Sequence, residues 1–121
     1  MAFAKESMAF TKDNVLSALH DVYDPELPVN IVDLGLVYRV DVEIDRDAPG
    51  AGIPGVPSRH RVEIDVTMTS QGCPAHEMII EKIRNRLAGM QQISLTRVNL
   101  VWEPAWGPQR ISEEGRKQLG I

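Results

Sequence analysis

Cys73 is the only thiol in the chain. It stands in Ser70-Gln71-Gly72-Cys73-Pro74, after an alternating segment and before a helical pattern. Proline suits the first position of a helix, because the N–H it lacks would have no partner there. This predicts Cys73 at or beside a helix N-cap, where free N–H groups and the macrodipole favour negative charge. A thiol so placed is biased towards thiolate, the form that attacks electrophiles and binds metal. The competing reading is a small buried hydrophobe, the usual state of an unpaired cysteine. His76 follows three residues later and would share a face of the helix start, so it could supply a second ligand. A solvated surface imidazole is the simpler reading. His20 and His60 have no partner at ligand spacing and read as surface residues.

Asp24-Pro25-Glu26 presents two carboxylates on a stiff turn, with Asp33 further along. They could bind a hard metal or assist thiol chemistry, or Asp24 could simply close an Asx-type turn with Glu26 exposed. Thr67 and Thr69 leave a strand-like segment on its polar side just ahead of Cys73. Trp102 and Trp106 read as a lid packed on the core, since large aromatics are mostly buried. No histidine has the setting of a hydrolase triad. One cysteine excludes an intramolecular disulfide, and also an all-cysteine zinc or four-thiolate iron–sulfur site built from one copy of the chain.

The elements that must position these groups follow from periodicity. Val15, Leu16, Leu19, Val22 and Tyr23 form an apolar stripe on a helix that Thr11-Lys12-Asp13-Asn14 can cap and Asp24-Pro25 must end. Residues 36–45 alternate, with Leu36, Tyr38, Val40, Val42 and Ile44 expected on the buried face. Residues 61–69 alternate likewise, with Val62, Ile64, Val66 and Met68 inward. The segment between them is rich in Gly and Pro and predicts a long, mobile hairpin connection. Ile79, Ile83, Leu87 and Met90 mark a second helix stopping near Gly89. A third strand spans about 93–102, its parity repaired by a bulge near Thr96-Arg97. Ser112-Glu113-Glu114 opens a short last helix.

The 121 residues carry 13 Lys+Arg and 17 Asp+Glu, a net charge of −4. That length suits one domain with a real core. The expectation is a loose tail over 1–10 and a single small two-layer α+β domain over 11–121, ordered helix, strand, strand, helix, strand, short helix. The acidic balance and scattered basic residues disfavour nucleic acid. No apolar run is long enough for a membrane span. With no secretory leader evident, a cytoplasmic location is expected.

Three separated segments carry a resemblance. Asp24-Pro25-Glu26-Leu27-Pro28-Val29-Asn30-Ile31-Val32-Asp33-Leu34-Gly35-Leu36 resembles the signature of the metal–sulfur cluster assembly family, the SufT/MIP-type domain. Thr67-Met68-Thr69-Ser70-Gln71-Gly72-Cys73-Pro74 resembles its cysteine motif. Leu100-Val101-Trp102-Glu103-Pro104-Ala105-Trp106, with Ser112-Glu113-Glu114-Gly115-Arg116 and Leu119-Gly120, resembles its C-terminal signature. The resemblance implies an iron–sulfur cluster assembly fold and a role in maturing iron–sulfur proteins. It implies Cys73 as the functional thiol and metal contact, with Asp24, Glu26 and Thr69 beside it. No cofactor is expected to be held tightly by the isolated chain, and iron or a cluster would pass through in transit. Iron–sulfur assembly proteins and client apoproteins are the implied partners, and a homodimer is compatible with this. An assembly factor or adaptor fits better than a turnover enzyme. Two alternatives stay open: an accessory protein for a phenylacetate-type multicomponent oxygenase, and a small thiol-dependent enzyme. Relatives of the PaaD type carry extra C-terminal cysteines, and none follows Cys73 here.

Overall fold

The computed structural model describes residues 10–69 and 76–121. Residues 70–75, where the Gly72-Cys73-Pro74 turn is expected, and residues 1–9 of the expected tail lie outside the described residues. In chain order come α1 (Lys12–Leu19), β1 (Val37–Ile44), β2 (His60–Val66), α2 (His76–Ala88), β3 (Ile93–Leu100), a 3-10 turn at Pro108–Arg110, and α3 (Glu113–Leu119). This is the expected α+β order. The strands form one sheet ordered β1-β2-β3. β1 and β2 pair antiparallel, while β2 and β3 pair parallel. The parallel pair is joined through α2, the kind of crossover that parallel strands require.

α1 packs on β1, α2 packs on β3, and the two helices touch each other. Val15 and Leu19 from α1 and Ile79, Ile83 and Leu87 from α2 bury their side chains in one cluster with Val62, Ile64 and Val66 of the central strand. Phe10, placed by the sequence in the tail, packs against this cluster, and its ring lies 5.1 Å from that of His60. α1 ends earlier than Asp24-Pro25 demands. Its last turn tightens, with the Asp21 and Val22 N–H groups bonding to Ala18 and Leu19 carbonyls at 3.1 and 3.0 Å.

The register departs from simple alternation at two places. Val37 pairs with Val66 and Arg39 with Asp65, so Tyr38 is an extra residue on β1. Val37 therefore joins Val40 and Val42 against the core, and Tyr38 does not. Ile44, expected inside, is 51% exposed at the strand end. On β3 the extra residue is Ser94, since His60 pairs with Ile93 and Arg61 with Leu95. The irregularity expected at Thr96-Arg97 thus lies earlier, Leu95 faces solvent, and Val98 and Leu100 turn inward. Ser94 uses its position: its hydroxyl donates to Asp45 Oδ2 at 2.6 Å.

The connection from Asp45 to His60 is a run of tight turns. The N–H groups of Ala51, Ile53 and Val56 bond to the carbonyls of Ala48, Gly50 and Ile53 at 3.0, 3.1 and 3.1 Å. Its base is anchored. Asp45 N–H donates to Arg59 O at 2.8 Å, and the Arg59 guanidinium donates to Gln91 O and Ile93 O at 3.1 and 2.7 Å. Ile53 and Val56 at the tip are exposed.

Candidate functional site

The acidic loop joins α1 to β1. Asp24 Oδ1 accepts from the backbone N–H groups of Glu26 and Leu27 at 2.7 and 2.9 Å. The loop closes further where Asp24 N–H donates to Val29 O at 3.2 Å, beside a bridge between Tyr23 and Asn30. Asp24 is thus the Asx-type turn that its place before proline suggests. Its carboxylate is turned towards its own loop, and Glu26 is exposed. After this turn Val29, Ile31, Leu34 and Leu36 are buried, which makes the segment a core element as well as an acidic one.

Thr67 and Thr69 follow β2 on the way to Cys73. Thr67 N–H donates to Leu36 O at 2.8 Å, so the exit of β2 is tied to the far end of the acidic loop. Thr67 is 1% exposed, and its hydroxyl has no hydrogen-bond partner among the described residues. Thr69 is half-buried in a bend directly before the undescribed residues. His76 opens α2 and is half-buried. Cys73 itself lies outside the described residues, so the expected grouping of Cys73 with Asp24, Glu26 and Thr69 carries no distances.

Asp33 is the best-engaged carboxylate of this region. Its Oδ2 accepts from Asn30 Nδ2 and its Oδ1 from the Ser112 hydroxyl, both at 2.8 Å. Its carbonyl accepts from Ser112 N–H at 2.7 Å. Burial pushes the Asp33 carboxyl up, but these two side-chain bonds, with a smaller coulombic contribution from His20, outweigh it and hold it below the ordinary carboxylate range. Ser112 is also the N-cap of α3, its Oγ accepting from Gly115 N–H at 3.0 Å. A Cβ on Gly115 would stand 2.9 Å from Ile111 Cγ2 and 3.0 Å from Asp33 O, so only glycine permits this approach. Trp106 Nε1–H donates to Leu34 O at 2.7 Å, and both tryptophans pack on the core as the expected lid. The first and third sequence signatures therefore meet in space. Sequence reasoning named Asp33 and Ser112 but missed their contact. The Asn30-x-x-Asp33 spacing, in which Asn30 Oδ1 accepts from Asp33 N–H at 2.9 Å, was a visible hint of local structure.

The face of the sheet away from the helices carries a separate polar network. The Arg39 guanidinium donates to Asp65 at 2.8 and 3.3 Å, lies 3.6 Å from Glu63 and pairs with Asp41. Asn99 Nδ2 bridges Glu63 and Asp65 at 2.7 and 3.0 Å. Arg39, then Asn99, holds the Asp65 carboxyl below its usual range. Among the described residues, no three His, Cys, Asp or Glu side chains form a metal-ligand set.

A family model described as iron–sulfur cluster assembly protein matches residues 12–47, the span from α1 through the acidic loop to β1. An Fe-S protein maturation auxiliary factor of Bacillus subtilis, YitW, is 37% identical over 110 residues, covering 91% of this chain and 94% of that protein. The Fe-S protein maturation auxiliary factor SufT of Staphylococcus aureus is 38% identical over 100 residues, covering 83% and 98%. A domain of unknown function from Bacillus anthracis superposes with a TM-score of 0.73 at 33% identity, over 100% of this chain and 99% of that one. A Mycobacterium tuberculosis protein described as associated with Fe-S complex assembly and repair gives 0.51 at 40% identity, over 89% and 82%.

Proposed function

The chain belongs to the iron–sulfur cluster assembly protein family, and on that premise we propose that it matures iron–sulfur proteins through the Cys73 thiol. The observation that carries the reading is identity spread over nine-tenths of the chain with maturation auxiliary factors. The local physics supports the thiol. In sequence Cys73 follows a glycine, precedes a proline and stands three residues before α2 begins at His76, and a thiol close to a helix N-terminus is biased towards thiolate. Neighbouring carboxylates would oppose a second negative charge. Asp24, the acid of the signature turn, instead faces the N–H groups of its own loop. In this reading Thr69, Asp24 and Glu26 frame the thiol, and the chain serves as an adaptor between assembly proteins and client apoproteins. Iron or a cluster is its cargo, held briefly, with the remaining ligands supplied by the donor, the client or a second copy.

The test is complementation. In a host lacking the protein, wild type should restore the activity of iron–sulfur enzymes and Cys73→Ser should not, while both accumulate equally. Full rescue by Cys73→Ser would remove the thiol from the function and leave an adaptor that works by contacts alone.

A further inference from the structure

The extra residue of β1 builds a second feature. Gly35, Val37, Tyr38, Pro104 and Arg110 line an open hollow of about 400 Å³. The Arg110 guanidinium carbon sits 4.7 Å from the centre of the Tyr38 ring, a cation–π contact. The ring is held from its other end, since the Tyr38 hydroxyl donates to Pro104 O at 2.8 Å. The backbone of Arg110 is held as well: its N–H donates to Gly107 O at 3.0 Å. Gly35, at φ +77°, leaves room for it, because a Cβ there would stand 2.8 Å from Arg110 Cβ. Among the described residues no carboxylate lies within ion-pair distance of Arg110, although the chain has more acids than bases. A guanidinium stacked on a ring and free of a carboxylate keeps its planar fork of donors available for one.

We propose that this hollow binds an Asp or Glu side chain of a partner protein, with the carboxylate on Arg110 and the neighbouring chain against Val37, Pro104 and the Tyr38 ring. The choice of a carboxylate over a phosphate follows from the surrounding donors. The Gly35 N–H is engaged by Val32 O at 3.0 Å and the Leu36 N–H by Ile31 O at 3.0 Å, so they form no backbone nest for a doubly charged anion. Arg110 is the one cation of the lining among the described residues. The choice of a protein segment over a small acid follows from shape. Arg110 and Pro104 are both exposed, and only a chain lying across the hollow would bury the guanidinium from water. This inference does not depend on the role of Cys73.

The test uses the full chain in an NMR titration with the capped peptide acetyl-Gly-Leu-Glu-Leu-Gly-amide. The same peptide with Gln for Glu, sodium acetate and inorganic phosphate form the other arms. Shifts should concentrate on the amides of Gly35, Val37, Tyr38 and Arg110, and the Gln peptide should bind weaker by about tenfold, the loss of one charge-assisted pair. Arg110→Gln should weaken the Glu peptide similarly, whereas Tyr38→Phe, which keeps the ring, should bind it. Arg110→Lys keeps the charge without the fork and should fall between, which keeps the test valid if the Gln variant folds poorly. Absent shifts at these amides, equal binding of the Gln peptide, or full binding by Arg110→Gln would overturn the proposal. Acetate as strong as the peptide, or phosphate stronger, would overturn the protein-segment assignment.

Discussion

Thr67 presents an energetic oddity at the scale of one residue, since its buried hydroxyl has no partner among the described residues. A buried hydroxyl without a partner costs about 1–3 kcal/mol relative to its hydrated state. Valine has nearly the same shape and no such cost. Thr67→Val should therefore raise stability by about 1 kcal/mol in urea unfolding. A loss of stability would mean that the hydroxyl is paired in solution. Asp24 separates charge from hydrogen bonding in the opposite sense. Its Oδ1 serves two backbone N–H groups, and an asparagine oxygen can do the same. Asp24→Asn should stay within about 0.5 kcal/mol of wild type, whereas Asp24→Ala, which leaves both donors unserved, should lose about 1–2 kcal/mol. Any defect of Asp24→Asn in iron–sulfur maturation would then report the charge and not the fold.

At the scale of elements, the short helix α3 is held through Asp33 and Ser112 more than through its own length, since seven residues make a marginal helix. The Asp33 carboxyl lies below its ordinary range in the folded chain. Its contribution is therefore present above the unfolded value of about 4 and is lost as pH falls through the folded value. Asp45 and Asp65 are lowered too, by Ser94 and Arg39 first respectively, and act in the same sense. Stability should thus fall through the acid range, and Asp33→Asn should flatten part of that fall while losing about 1–2 kcal/mol at neutral pH. Denaturant midpoints measured from pH 7 downward check both statements; an unchanged acid limb in Asp33→Asn would show that Asp33 adds nothing to it. The same contacts explain what could be read from sequence. Val62, Ile64 and Val66 were legible because the central strand obeys strict alternation and buries one whole face. β1 was misread at Tyr38 because its place outside the core is coupled to Pro104, 66 residues away. β3 was misread at Ser94 because its hydroxyl answers Asp45 on another segment. Local periodicity carries no record of such partners. In the candidate site, Asp24's turn was legible because it is local, and the Asp33–Ser112 contact was not, because it spans 79 residues.

For the whole molecule, the Asp45–His60 connection and the single thiol set two limits. The connection is anchored at its base by Asp45 and Arg59 and exposes its tip. Replacing residues 49–57 by a short turn while keeping Ala48 and Arg59 should change stability by less than about 1 kcal/mol, since loop length enters only logarithmically. A large drop in thermal midpoint would show that the tip packs on a surface. The thiol limits cargo. A cluster takes about four protein ligands, mostly thiolates, and this chain has one cysteine. Carboxylates suit harder ions than cluster iron. A monomer can therefore offer a cluster one thiolate and at most the His76 imidazole beside it, and the remaining ligands must come from a second chain, a client or an added thiol. Anaerobic incubation with iron and sulfide, followed by size separation, should leave the monomer fraction colourless. Charge-transfer absorbance should appear only in a larger species or with an external thiol present, and should vanish in Cys73→Ala. A coloured cluster retained by monomeric Cys73→Ala would place the cargo site on other residues and detach it from the Gly72-Cys73-Pro74 segment.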